Sequence, residues 1–224
     1  MTFSVAGRCR RTGAFGVAIS SSSPAVAARC AHVRAGVGAA TTQNVTDPRL
    51  GPALLEALAT GATAEQAVAS VSANATYADH RQLSCVDAEG GAAAWSGALA
   101  LGRHGHGTGA QVAAAGNLLA SDDVVPAMLE AFGAAVDADL PDRLLLALEA
   151  GLTAGGEAGP VRSAGLLVVE EVPWATTDLR VDWHDDPVAE LRRIWQLWHL
   201  QSRDYVTRAL DPTAAPSYGV PGDA

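Results

Sequence analysis

Few residues in this chain have the types and spacing to do chemistry, and the first stands at position 2. Thr2 brings a hydroxyl, and loss of Met1 would put an α-amine on the same residue. Such an amine has a pKa of about 8, so a single residue would hold a nucleophile and its base. The plainer account is a threonine that opens an edge strand. A second group is Gln43, Asn44 and Asp47, at the end of a stretch rich in Gly and Ala. Two amides beside a carboxylate can orient a polar ligand or donate to a developing oxyanion. Equally, Asn44 can cap a turn and Asp47 a helix. Asn117 ends another Gly/Ala-rich segment, Gln111 to Leu118.

Other clusters point less clearly to a reaction. His104 and His106 flank a glycine and His80 lies further off, but the cysteines have no paired spacing to complete a structural zinc site. Gly102 to Gly109 lacks the order of a phosphate-binding loop, and no glycine pattern follows a strand and opens a helix as a dinucleotide fingerprint does. No GxSxG elbow occurs. Asp182, His184, Asp185 and Asp186 are close in sequence, but Asp186 already has work as a helix cap. The expectation is no metal and no cofactor.

These side chains need elements to hold them. Thr2 to Cys9 alternates, Arg10 to Gly13 turns, and Phe15, Val17 and Ile19 share one face of a return strand. A short helical stretch from Ala25 to Cys30 precedes a strand over Val33 to Ala40. Asp47-Pro48 reads as the N-cap and first position of a helix, and Thr63 to Gln66 as a capping box opening another to about Asn74. Gln82 to Val86 and Ala92 to Trp95 form a second hairpin, and Gly102 to Gly109 a loop. Helices follow over Asp123 to Ala135 and Pro141 to Ala150, then strands over Ala164 to Glu170 and Asp178 to Trp183. A last helix opens at Asp186 with Val188, Leu191, Ile194, Trp195 and Trp198 on one stripe. Strands in hairpins and helices in pairs imply antiparallel sheets with helices outside, an α+β fold. Residues 1–211 read as one domain, and 212–224 as a Pro/Ala-rich tail.

Composition narrows the setting. The 224 residues carry a net charge of −9 with no basic run, which argues against nucleic acid as a partner. Charged residues are only 17% of the chain, so a second copy covering part of the surface, a homodimer, is expected. Three cysteines without pairing, and no signal peptide or long apolar run, indicate a cytoplasmic protein with no membrane partner.

Several ordered segments resemble the DUF1028 family. They are Thr2-Phe-Ser-Val-Ala6, Gly13 to Ile19, Arg34 to Ala39, Thr42-Gln-Asn44, Asp47 to Pro52, Ala115 to Leu119, Asp178 to Asp182 and Asp186 to Leu191. The resemblance runs from Thr2 to about His199. It implies the four-layer αββα sandwich of N-terminal-nucleophile (Ntn) hydrolases, with Thr2 at the nucleophile position once Met1 is gone. Where the family has an aromatic residue after Gln, this chain has Asn44 and Val45, a difference that bears on a pocket wall. The activity expected from residue type and position is hydrolysis of a small amide or related C–N bond. In that reading Thr2 attacks and Asn44 and Asn117 serve the oxyanion. Gln43, Asp47, Arg49, Arg81 and Asp182 contact the small-molecule substrate: the carboxylates suit an amine and the guanidiniums a carboxylate. The contrasting expectation is a non-catalytic scaffold of the same fold that binds a small polar ligand or a partner protein.

Overall fold

Alternation in the first residues builds the centre of the larger sheet. In a computed structural model of the chain, which describes residues 2–221, strands β1 (Thr2–Arg8) and β2 (Phe15–Ser21) pair antiparallel, with Phe3 opposite Ser20 and Ala6 opposite Val17. Further along come β3 (Ala31–Arg34), β4 (Gly38–Asn44), β5 (Arg81–Val86), β6 (Ala92–Ser96), β7 (Gly105–Gly109), β8 (Val112–Asn117), β9 (Ser163–Val169) and β10 (Ala175–Val181). They form a six-stranded sheet ordered β10-β9-β2-β1-β8-β7 and a four-stranded sheet ordered β3-β4-β5-β6, with antiparallel pairs throughout.

Helices cover the outer face of each sheet. Outside the smaller one lie α2 (Leu50–Ala59) and α3 (Ala64–Asn74), whose Leu54, Leu55, Leu58, Ala67 and Val68 pack on Leu83 and Cys85. Outside the larger one lie α4 (Val124–Ala134), α5 (Leu140–Thr153) and α6 (Pro187–Trp198). There Phe3 and Val5 of β1 meet Met128, Phe132, Leu144 and Leu148. Close approach of α5 depends on Gly16, where a Cβ would stand 2.6 Å from Leu144 Cδ1. The sheets face each other across Ala6, Phe15, Val17, Ile19, Ala39, Val86 and Ala113. The result is the expected αββα sandwich, with β1 in the middle of it.

Local signals named in the sequence hold where a side chain bonds its own turn. Thr63 and Gln66 form a reciprocal capping box, and Asp186 accepts the Ala189 N–H. Other expectations change. The strand expected over Val33 to Ala40 is a hairpin, β3 and β4, turning at Gly36 with φ +69°. The loop expected over Gly102 to Gly109 contains β7, because the outer edge of β8 presents N–H and C=O groups that β7 pairs. Asp47 stands two residues ahead of the N-cap, Arg49, and its carboxylate accepts the Arg49 N–H at 3.1 Å. A further helix, α7 (Ser202–Leu210), follows α6. Trp195 and Trp198 pack within the chain: their indole N–H groups donate to Asp142 Oδ1 and to the Thr176 carbonyl. The expectation about Met1 and the last three residues of the tail lies outside the described residues. Among the described residues, no helix is long and apolar enough to cross a membrane.

Candidate active site

Side chains alternate across a strand, so Thr2, Ser4 and Ala6 of β1 face the smaller sheet while Phe3 and Val5 face α4 and α5. The layer between the sheets is therefore apolar around Ala6 and becomes polar towards Thr2. Thr2 lies opposite Asn117 of β8, and its Oγ1 donates to Ser21 Oγ at 3.4 Å. Ser4 Oγ donates to Gln43 Oε1 at 2.6 Å, and Gln43 Nε2 donates to Gln82 Oε1 at 2.7 Å. Asn117 Nδ2 donates to the same Gln82 oxygen at 3.2 Å. Gln82 Nε2 faces three acceptors, Ser96 Oγ at 2.8 Å, the Gly116 carbonyl at 3.0 Å and the Gly105 carbonyl at 3.2 Å. Ser4, Gln43, Gln82 and Asn117 have no exposed surface. A buried polar group without a partner is costly, so a network this buried has to be almost fully bonded. One atom breaks that pattern: Asn117 Oδ1 is buried and has no hydrogen-bond partner.

A carboxylate approaches the same end. Gly155 and Gly156 adopt φ +125° and +58°, which glycine takes without strain, and so turn the chain after α5 back toward β8. Ala120 N–H donates to the Gly156 carbonyl and Ala158 N–H to the Leu118 carbonyl, which fixes the loop beside Asn117. Glu157, 5% exposed, accepts the Ser22 N–H at 3.0 and 3.2 Å on its two oxygens. Burial pushes its carboxyl up to about 6, against the pull of the Ser22 bond.

The structure thus brings together Thr2, Gln43 and Asn117 of the expected residues. It adds Ser4, Ser21, Gln82 and Glu157, which the sequence reading passed over. Ser4 and Gln82 carry a readable signal, a polar residue within a strand otherwise small or apolar. Glu157, alone in a glycine loop, carries none. The remaining expected residues are engaged in shaping loops. Asn44 adopts φ +74°, donates to the His80 carbonyl and accepts the Leu101 N–H. Asp47 is clasped by Arg49 at 2.9 and 2.7 Å, which holds its carboxyl down to about 2. Arg81, next to Gln82 but on the other face of β5, directs its guanidinium onto the Val45 and Thr76 carbonyls. Asp182 is exposed just past β10.

Surface cavities lie elsewhere. One of about 370 Å³ sits between β7 and α4, bordered by His104, Leu119, Asp122, Val125 and Leu129. The two imidazoles there have separate partners, His104 Nδ1 with the Gly102 carbonyl and His106 Nδ1 with Ser96 Oγ. Among the described residues, no group of three or more His, Cys, Asp or Glu side chains is placed to hold a metal ion.

No curated protein matches the chain. Among solved structures, the crystal structure of protein SPO2555 from Silicibacter pomeroyi, a DUF1028 protein, is similar with a TM-score of 0.83. It is 31% identical, over 91% of this chain and 89% of that chain. Anbu, an ancestral β-subunit from Yersinia bercovieri, is 12% identical over 89% of this chain and 95% of that chain, with a TM-score of 0.43. The strands that carry Thr2, Gln43, Gln82 and Asn117, and the loop that carries Glu157, all fall within residues 2–191, which match the model of the family of unknown function DUF1028, and the chain belongs to that family.

Proposed function

We propose that the protein is an Ntn-type hydrolase that cleaves a small amide or related C–N bond with Thr2, freed of Met1, as nucleophile. The observation that carries this reading is the placement of Thr2. It heads the central strand, with its hydroxyl turned into the polar end of the layer between the sheets. The α-amine takes the hydroxyl proton, directly or through one water. Oγ1 then bonds to the amide carbon, and the carbonyl oxygen becomes an oxyanion. When the C–N bond breaks, the amine returns the proton to the leaving nitrogen. Water finally attacks the Thr2 ester, its proton passing through the same amine, and the acid is released with the hydroxyl restored. The chain has no lysine, since all 15 basic residues are arginine, so this base has no primary-amine rival within it.

Asn117 keeps a second Nδ2 proton beyond the one given to Gln82, and that proton is its contribution to the oxyanion. Asn44, whose amide bonds two backbone groups, contributes by fixing the loop at the end of β4. Gln43 holds Ser4 and Gln82 at the sheet junction, and Asp47, Arg49, Arg81 and Asp182 are the candidates for contact with the polar ends of the substrate.

The test uses protein whose mass shows loss of Met1. It is incubated, beside its Thr2→Ala variant, with a panel of amides, cyclic amides and acylated amino acids. Turnover by the parent alone, with a Thr2-acylated peptide trapped at short times, is the expected result. Full turnover by Thr2→Ala removes Thr2 from the mechanism.

A second reading, the non-catalytic scaffold that binds a small polar ligand or a partner, is favoured by one observation: Thr2 is only 5% exposed. Met1 retained throughout protein isolated from its native cells decides for that reading.

A further inference from the structure

The orphan oxygen of Asn117 has a definite orientation. Side-chain amides can often be turned end for end, exchanging donor and acceptor. Gln82 cannot turn, because its nitrogen sits against the Gly105 and Gly116 carbonyls, which can only accept, and an oxygen there would face both. Gln82 Oε1 therefore points to Asn117 and Gln43 and needs a donor from each. That requirement fixes Asn117 with Nδ2 toward Gln82 and Oδ1 away from it. A buried acceptor left without a partner costs about 1–3 kcal/mol. Asn117 Oδ1 is such an atom, on the residue directly across the strand pair from Thr2.

An N–H donor is what this end of the fold lacks. We infer that the carbonyl end of Asn117 is the positioning group for the α-amine of processed Thr2, and that the Glu157 carboxylate supplies the counter-charge. This deepens the Ntn reading and rests on it. A protonated α-amine has three N–H donors, and the neighbourhood offers Asn117 Oδ1 and the Glu157 carboxylate as acceptors. Held by Asn117 Oδ1, the amine keeps its place beside its own hydroxyl in either protonation state.

The charged groups around this end are few. β2, β4, β8 and the inward face of β5 bring uncharged side chains: Ser21, Gln43, Asn117, Gln82 and Ser84. α1 (Ala27–Cys30) brings Cys30, and burial pushes its thiol pKa up. Arg81 is turned onto backbone carbonyls on the far face of β5. The loop after α5 brings Glu157 as the carboxylate.

Because the chain has no lysine, an amine reagent reads this one group. Protein with Thr2 as its first residue is labelled with 2,4,6-trinitrobenzenesulfonate across pH 6–10, and the N-terminal peptide is quantified by mass. The parent is expected to show an amine pKa at or above the ordinary value of about 8. Asn117→Leu, which removes the acceptor, lowers it by about half a unit or more, and Glu157→Gln by a similar amount. Asn117→Asp, which puts a charge on the same spot, raises it by about one unit. Thr63→Ala, in the capping box of α3 outside the smaller sheet, leaves it unchanged. If Asn117→Leu does not fold, Asn117→Asp decides alone. An amine pKa that stays within about 0.2 unit of the parent in the Asn117 variants that fold overturns the inference. The measurement needs no substrate and can be repeated in the Thr2→Ala background. It therefore fails independently of the hydrolase reading.

Discussion

Replacing Gln82 with leucine is the most direct probe of the buried network. Leucine fills most of the same volume, so the loss is one of hydrogen bonds and not of packing. The substitution removes five contacts between 2.7 and 3.2 Å. Gln43 Nε2 and Asn117 Nδ2 lose the acceptor given above, and neither residue has any exposed surface to reach water. At about 1–3 kcal/mol for each orphaned donor, the variant should lose about 2–6 kcal/mol. That is a large share of the roughly 5–15 kcal/mol that stabilises a domain. Urea unfolding measures it, with an unchanged m-value showing that the same surface is exposed. Glu at the same position gives a second arm with a definite sign. Its carboxylate would be buried against three acceptors, so its folded-state pKa rises above the unfolded value of about 4.3. The neutral acid can still donate one bond, and the stability it contributes is lost as pH rises through the folded pKa. Gln82→Glu should therefore be more stable relative to the parent at pH 4 than at pH 7. A loss below about 1 kcal/mol for Gln82→Leu, or no pH dependence for Gln82→Glu, refutes the reasoning.

Three further outcomes are expected. Gly16→Ala, whose new methyl would meet Leu144 Cδ1 at 2.6 Å and Val168 Cγ2 at 2.9 Å, should destabilise by about 1–3 kcal/mol in chemical denaturation. Glu157 has a carboxyl raised from 4.5 to about 6, so its contribution is complete below the unfolded value and lost as pH climbs through 6. That 1.5-unit difference is worth about 2 kcal/mol, and Glu157→Gln should flatten the stability profile between pH 4.5 and 6 by about that amount. Thr63→Ala removes one half of the capping box and should cost about 1 kcal/mol, read as a lower Tm with the fold kept.

Sequence and structure divide the account along a physical line. What the sequence by itself determined is what chemistry between near neighbours controls. The period-2 alternation from Phe3 to Ile19 specified the first hairpin, and Thr63 and Gln66 marked a helix start because they bond each other. The pairing of hairpins with helix pairs was enough for antiparallel sheets with helices outside, and the resemblance to the family supplied the four-layer αββα arrangement. Thr2 was legible as a candidate from its position and residue type.

The rest was decided by pairing between distant segments. β7 is a strand because β8 had an edge to satisfy, which its run of glycines could not announce. Trp195 and Trp198 share one stripe in the sequence, and only the fold sets Asp142 and Thr176 against their indole N–H groups. In the sequence Asn44 and Asn117 each end a Gly/Ala-rich segment, and Asn44 reads as the stronger candidate of the two. Only the tertiary structure shows where their amides go: one amide meets two backbone groups of neighbouring loops, and the other is held by Gln82 with its oxygen left over beside Thr2. Glu157 joins them solely through a loop that returns from α5 to the end of β8. Whether a buried polar atom finds a partner depends on residues dozens of positions away, and that is a property of the packed molecule, not of any stretch of the chain.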